Sequence, residues 1–258
     1  MQIPIYVSLT SIFKNQKQLL ETLISITKQT CLPNKIFLYL SEEPYILDTG
    51  FKNKHITNLE LLNFLNQNKN LIKTTWVKNE GSYRKLLPLL RQKWNEDCII
   101  ITIDDDTIYD NKLIENMVND HNNHKCVIGY FGFTPGFIKK TGKIEDFSTR
   151  ERGPLIKKHI YNFPMGKGGI LYKPQFFHKT KDLFFNKNFY MKICDKQDDL
   201  WFYILRVKNN VECFLDKTPY MVKDLSNKGL YNFFNSKNNN NTVVFKKIIE
   251  ELKKINNF

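Results

Sequence analysis

The sequence predicts an α/β protein built on a mostly parallel central sheet, and three observations carry that prediction. Short β-branched apolar runs recur along the chain, and stretches of helical periodicity separate the first of them. One run, residues 98–103 (CIIITI), ends abruptly in three consecutive carboxylates, Asp104, Asp105 and Asp106. A short apolar run bounded by polar residues reads as a strand buried on both faces. In open α/β sheets ligands bind just beyond the carboxyl ends of the strands, so these acids lie where chemistry is expected.

Adjacent anions repel: at about 4 Å a pair costs roughly 4 kcal/mol at an effective dielectric near 20. A cation removes that cost. Extended geometry places Asp104 and Asp106 on one face and Asp105 on the other. Two same-facing hard oxygen ligands suit Mg²⁺ or Mn²⁺, which complete their coordination with water and substrate phosphate. The bland alternative is that the acids cap the next helix, although capping needs only one of them.

The elements follow in order. Residues 3–10 (IPIYVSLT) form a first strand ending in small hydroxyl residues. Residues 16–29 form an amphipathic helix with Leu20, Leu23, Ile24 and Thr27 on one face, stopped by Leu32-Pro33-Asn34. Residues 35–40 are a second strand, so the chain opens with a βαβ unit and a parallel pair. A helix over 56–68 and a strand over 72–77 come next, then Gly81-Ser82-Tyr83-Arg84-Lys85, a basic glycine-containing turn at a helix start that suits phosphate. A helix over 111–122 and a strand over 126–133 follow the acids. Residues 134–158 lack periodicity and read as a loop or small β insertion. Gly166, Gly168 and Gly169 enter a further strand, where glycine permits close approach of a ligand. Asp198 and Asp199 head an apolar helix over 200–207, with Asp195 read as its N-cap. An Asn-rich stretch over 235–241 precedes a C-terminal helix carrying Phe245, Ile248, Ile249, Leu252 and Ile255. The organisation expected is a main domain over 1–235 and an appendage over 236–258.

Composition bounds the function. At 258 residues with 41% hydrophobic content the chain can bury a sizeable core. The net charge of +13 points to anionic partners, and its lysines are scattered rather than blocked. Five cysteines without a C-x-x-C pair suit reduced thiols. No signal peptide or membrane-length apolar run is read, so the expectation is a cytoplasmic protein, soluble or peripheral, with the lysine-bearing C-terminal helix as a possible membrane contact.

Taken together, "LLETLISITKQT", "GSYRKLLPLL", "ITIDDDTIY", "GKGGILYKP" and "DDLWFYIL" resemble, in order, the GT-A-fold glycosyltransferases, in particular the family-2-like nucleotide-sugar enzymes. The resemblance implies a Rossmann-like GT-A sheet and metal-dependent, inverting transfer of a sugar from a nucleotide diphosphate sugar, UDP-sugar favoured, to a hydroxyl of a glycan or glycoconjugate. By that likeness Asp106 would ligate a Mn²⁺ or Mg²⁺ ion, with Asp104 on the metal or ribose and Asp105 beside them at the donor. Ser8 and Thr10 would line the nucleoside pocket, and Glu42 or Glu43 would read the base, although the usual D-D-x-S form is missing. Lys85 would lie near the donor, and Gly168 and Gly169 beside the transferred sugar. Asp199 would be the base, with Asp198 the substitute. No histidine follows His178 to serve as a late metal ligand.

Other classes are weighed on the same residues. The charge and acid cluster would also suit a nucleic-acid-binding or metal-dependent nucleic-acid-processing protein, but no third acid is evident for a two-metal site, and no nucleic-acid partner is expected. A nucleotidyltransferase should carry a glycine-rich basic turn near the N-terminus, and Ser8-Leu9-Thr10-Ser11-Ile12 is not one. A catalytically dead sugar-binding module would not need the intact acids. His121, His124 and Cys126 are too few for a zinc site.

Overall fold

The computed structural model describes residues 3–135, 157–216, 218–226 and 240–254. The chain opens with β1 (Ile5–Thr10), α1 (Gln16–Thr27), β2 (Lys35–Leu40), α2 (Leu59–Gln67) and β3 (Ile72–Trp76). A 3-10 turn over Gly81–Lys85 leads into α3 (Leu87–Lys93), β4 (Ile99–Thr102) and β5 (Thr107–Tyr109). Next come α4 (Leu113–His124), β6 (Val127–Gly129), β7 (Gly132–Phe133), β8 (Lys158–His159), β9 (Phe163–Pro164) and β10 (Ile170–Tyr172). The remainder is α5 (Lys181–Phe184), α6 (Lys187–Ile193), α7 (Asp198–Lys208), β11 (Cys213–Leu215), β12 (Met221–Asp224) and α8 (Asn240–Lys254). Most of the insertion expected over 134–158, and the Asn-rich stretch before residue 240, lie outside the described residues.

Among the described residues eight strands form the central sheet, in the order β3-β2-β1-β4-β10-β6-β11-β8. The pairs β3–β2, β2–β1 and β1–β4 are parallel. Strand β10 then runs antiparallel to both β4 and β6. Strand β11 is parallel to β6, and β8 closes the edge antiparallel. The sheet is thus mostly parallel, as the βαβ opening predicts, with β10 and β8 reversed.

Period-two alternation divides the sheet residues between two cores. Ile36, Leu38 and Leu40 of β2 join Ile99 and Ile101 of β4 on the face covered by Leu19 and Leu23 of α1, Leu61 of α2 and Ile114 of α4. Phe37, Tyr39 and Ile100 point the other way, into the cluster formed with Leu90 of α3 and Trp201 and Phe202 of α7. Phe245, Ile248 and Leu252 bring α8 into this second cluster, so its apolar face is buried. No helix among the described residues is long and apolar enough to cross a membrane.

Trp201 on α7 is fully buried at the centre of the second core. Trp201→Ala should cost about 3–5 kcal/mol of stability, measured by denaturant unfolding.

Candidate functional site

The reversed direction of β10 assembles the site. Ile170 lies opposite Thr102 of β4, so the glycine-rich residues entering β10 sit beside the residues leaving β4. Helix α7 brings its N-terminus, Asp198 and Asp199, to the same edge. A cavity of about 670 Å³ opens there, lined by Thr10 and Ser11, Tyr45 to Asp48, Ser82 to Lys85 without Tyr83, Asp104 to Asp106, Met165 to Lys167, and Asp198 and Asp199.

Lys85 is at the centre of the acids. Its Nζ lies 3.3 Å from Asp104 Oδ1, 3.1 Å from Asp198 Oδ2 and 3.2 Å from Asp199 Oδ1. Burial works against its charge, but the three carboxylates outweigh burial and hold its pKa well above the ordinary lysine value. The ammonium expected to meet the donor is therefore engaged by protein carboxylates. Asp198 is the deeper of the helix pair: its Oδ1 accepts a hydrogen bond from Ser82 Oγ at 2.6 Å. Asp199 is the more open, with a side chain 24% exposed against 8% for Asp198. Its Oδ2 accepts from the Gly166 amide at 2.9 Å, and burial raises its pKa against the pull of Lys85. The N-cap of α7 is Gln197, not Asp195, and it makes no side-chain cap. Asp195 instead accepts from the Tyr45 hydroxyl at 3.3 Å and pairs with Lys196.

Strand β4 stops two residues short of Asp104, so the three acids occupy the turn into β5 and the strand alternation expected of them does not apply. Tyr109 holds this turn: its hydroxyl accepts from the Asp104 amide at 3.0 Å and donates to Lys167 O at 3.2 Å. Asp105 accepts from Ser11 Oγ and, at 3.2 Å, from Asn15 Nδ2, which anchors it to the start of α1. Burial pushes its pKa up to about 6, with those hydrogen bonds opposing. Asp106 forms no ion pair among the described residues, and burial followed by Asp104 and Asp105 pushes it up to about 7.

No group of three or more His, Cys, Asp or Glu residues with metal-cage geometry occurs among the described residues. The acids do fit an ion of another kind. Asp104 gives Oδ1 to Lys85, while Asp106 lines the cavity wall without an ion pair among the described residues, its charged form disfavoured by burial and by Asp104 and Asp105 against the pull of Lys167. That donor set suits a hard cation held by one or two carboxylates and completed by water and phosphate oxygens. His121 and His124 are spent elsewhere: His121 Nδ1 lies 2.9 Å from Cys126 O, and the His124 ring stacks on Phe214.

At the opposite end of the cavity the structure departs further from the sequence expectation. Glu42 is at the surface, 3.5 Å from Lys54. Glu43 accepts from the Asn79 amide at 3.0 Å, and neither glutamate lines the cavity. The acid that does is Asp48. Its Oδ1 accepts from the Phe13 and Gly50 amides, and its Oδ2 from Asn79 Nδ2 and Arg84 Nη2, each at 3.0–3.1 Å. Both oxygens are saturated, and the Arg84–Asp48 pair is only 2% exposed. Arg84 Nη1, by contrast, is buried without a partner among the described residues. Ser8 lies within β1, buried away from the cavity, and Thr10 reaches it but donates its hydroxyl to Tyr39 O at 2.7 Å. Ile46 adopts φ +53 in the tight Tyr45–Asp48 turn, an uncommon conformation for a β-branched residue.

The glycine beside the acids is Gly166. A Cβ there would meet Lys85 Nζ at 2.5 Å. Gly168 instead packs on Phe131, where a Cβ would fall 2.4 Å from its backbone nitrogen, and Gly169 faces Met117 and Leu113. Neither of these two glycines lines the cavity: Gly168 packs on the connection after β6 and Gly169 on α4. Asn15, Asp48 and Tyr109 carried no signal of their own in the sequence; Gly166 was marked only by the glycine run, Ser11 by the small hydroxyls at the end of β1 and Ser82 by the basic glycine-containing turn.

No family model matches the sequence, and no curated protein is significantly similar to it. Solved structures are similar in fold. Staphylococcus aureus TarS residues 1–349 in complex with UDP-GlcNAc aligns with a TM-score of 0.54 at 14% identity, over 91% of this chain and 62% of that one. The same TarS fragment with UDP aligns with a TM-score of 0.52 at 16% identity, over 84% and 59%. The chain therefore spans about three fifths of the TarS fragment. The 4-diphosphocytidyl-2C-methyl-D-erythritol synthase of Anaerococcus prevotii aligns with a TM-score of 0.53 at 8% identity, over 96% of each chain. The architecture is the GT-A-like fold of TarS: a large, mostly parallel sheet between helical layers.

The raised pKa of Asp106 has a measurable consequence. A carboxyl protonated more readily in the folded than in the unfolded chain lends stability at low pH, lost as pH rises through the folded pKa. In metal-free protein Asp106→Asn should raise Tm by a few degrees at pH 8, where about 1 kcal/mol corresponds to roughly 2–4 °C. The gain should shrink from about pH 7 downward and vanish near pH 4, followed by thermal melts across that range.

Proposed function

We propose that this chain is a glycosyltransferase that moves a sugar from a nucleotide diphosphate sugar, UDP-sugar favoured, to a hydroxyl of a glycan or glycoconjugate, with inversion at the anomeric carbon. The observation that carries the reading is the meeting of Asp104, Gly166 and Asp199, from three distant segments, around one cavity at the carboxyl edge of the sheet. The fold likeness to TarS, whose structures hold UDP and UDP-GlcNAc, supports the donor class.

Asp199 is assigned as general base. It is the more exposed of the α7 pair, and its lone pairs not used by Lys85 and Gly166 can take the acceptor hydroxyl's proton as that oxygen attacks. A single base facing the anomeric carbon opposite the leaving diphosphate gives inversion. Asp198, tied to Ser82 and Lys85, is assigned to support. Asp106 and the open oxygen of Asp104 would hold a Mn²⁺ or Mg²⁺ ion, which when bound supplies Lewis-acid stabilisation of the leaving diphosphate. Thr10, Asp48 and the unpartnered Arg84 Nη1 surround the space left for the nucleoside. Nucleotidyl transfer, suggested by the Anaerococcus likeness, is disfavoured because the turn after β1, Ser11-Ile12-Phe13, lacks a glycine-rich basic cradle.

A nucleotide-sugar thermal-shift screen with and without Mn²⁺ should find a donor that stabilises the protein. At a hundredfold excess over Kd the gain is about 2.7 kcal/mol. Asp106→Ala should remove the metal-dependent part of that shift. Asp199→Asn should keep it and cut turnover by about 10²–10⁴-fold. Unchanged turnover in Asp199→Asn, or a product that NMR shows to retain the donor's anomeric configuration, would overturn the mechanism.

A further inference from the structure

We propose that Lys85 is a positioning residue: its ammonium fixes the orientation of Asp199 relative to Asp104 on the donor side, and Gly166 is the residue that leaves it room. This rests on the assignment of Asp199 as base.

The geometry is specific. A carboxylate held by one oxygen swings about its last torsion. In Asp199 both oxygens are engaged: Oδ2 accepts a hydrogen bond from the Gly166 amide at 2.9 Å, and Oδ1, buried and without a hydrogen-bond partner among the described residues, is ion-paired with Lys85 Nζ at 3.2 Å. The ammonium is itself held from below by Asp198, which Ser82 fixes at 2.6 Å, and from the donor side by Asp104 at 3.3 Å. Lys85 is 6% exposed, so water does not compete for its protons. A Cβ on residue 166 would fall 2.5 Å from Nζ, 3.1 Å from Asp104 Oδ1 and 3.3 Å from Asp199 Oδ1. Of these, the flexible lysine end is what would yield. The Gly166 backbone holds one oxygen of the base, and its missing side chain admits the cation that holds the other. A misplacement of about 1 Å in such a group costs on the order of a hundredfold in rate.

The test is a double-mutant cycle, which isolates action through a shared residue from independent effects. Lys85→Met and Gly166→Ala are each made in the wild-type and the Asp199→Asn backgrounds. Turnover is followed with labelled donor, and donor affinity by calorimetry with Mn²⁺ present. In the wild-type background each should lower kcat by about 10–100-fold and leave donor Kd within about threefold. In the Asp199→Asn background neither should cause a further loss, because the group they position is already gone. Losses that multiply with that of Asp199→Asn, or that fall on donor affinity and spare kcat, would overturn the inference. Should Lys85→Met fail to fold, Gly166→Ala, which keeps every charge, decides alone by the same criteria. A wild-type chain that transfers no sugar from any nucleotide donor would sink the proposed function and this inference together; an active wild type with multiplicative losses would sink the inference only.

Discussion

One ammonium shared among three carboxylates is the interaction on which the functional edge depends. Lys85 offsets one negative charge of Asp104, Asp198 and Asp199 and leaves the rest, with Asp105 and Asp106 alongside. Charges packed this closely in a partly buried setting repel by several kcal/mol per pair. The chain answers with local devices: Ser82 on Asp198, Ser11 and Asn15 on Asp105, and the Gly166 amide on Asp199. Among the described residues Asp106 receives none of these. The protein is thus built with a deficit of positive charge at one point of the cavity wall.

The same elements serve the core and the site. Helix α7 buries Trp201, Phe202 and Leu205 in one face of the sheet while its first turn presents Asp198 and Asp199 to the cavity. The 3-10 turn before α3 buries Tyr83, whose hydroxyl donates to Cys194 O, and the two residues after it supply Arg84 and Lys85. Arg84 clamps Asp48, and through it the loop after β2, to the end of β1. The acids are positioned by packed, well-covered elements, which limits how far any of them can drift when a ligand is absent.

Much of the framework was legible in the sequence because its signals are local. The run KIFLYL is β2 residue for residue, and the periodicities of α1, α4 and the C-terminal helix place them within a few positions. The acids Asp104 to Asp106 and Asp198 to Asp199 announced themselves by crowding at the ends of apolar runs, and the structure brings both groups to one cavity. What the sequence could not show depends on register between distant strands. That β10 runs against β4, and so delivers Gly166 rather than Gly168 or Gly169 to the acids, follows from sheet order. The burial of Lys85 by acids is likewise invisible in a chain where its neighbours are a basic turn. Glu42 misled because the loop after β2 folds back as a tight turn at Tyr45 to Asp48, which puts Asp48 inside and Glu42 out. Strands β5, β11 and β12 have three or four residues each, too short for alternation to mark them.

The antiparallel course of β10 also bears on how the molecule comes into being. Ser82 meets Asp198 across 116 positions of chain, and Gly166 meets Asp199 across 33. Contacts this remote lengthen the search for the native state, since loop closure precedes any reward. Strands β1 to β4 are contiguous in the sheet and early in the sequence, so they can pair while the rest of the chain is still being synthesised. At that stage Asp104 has its lysine but lacks the remaining partners of that lysine, and the edge of β4 that β10 will cover stands open. The acidic edge is therefore complete only once β10 and α7 have both been made, and a chain stalled before β10 would expose the uncovered edge of β4 to its neighbours.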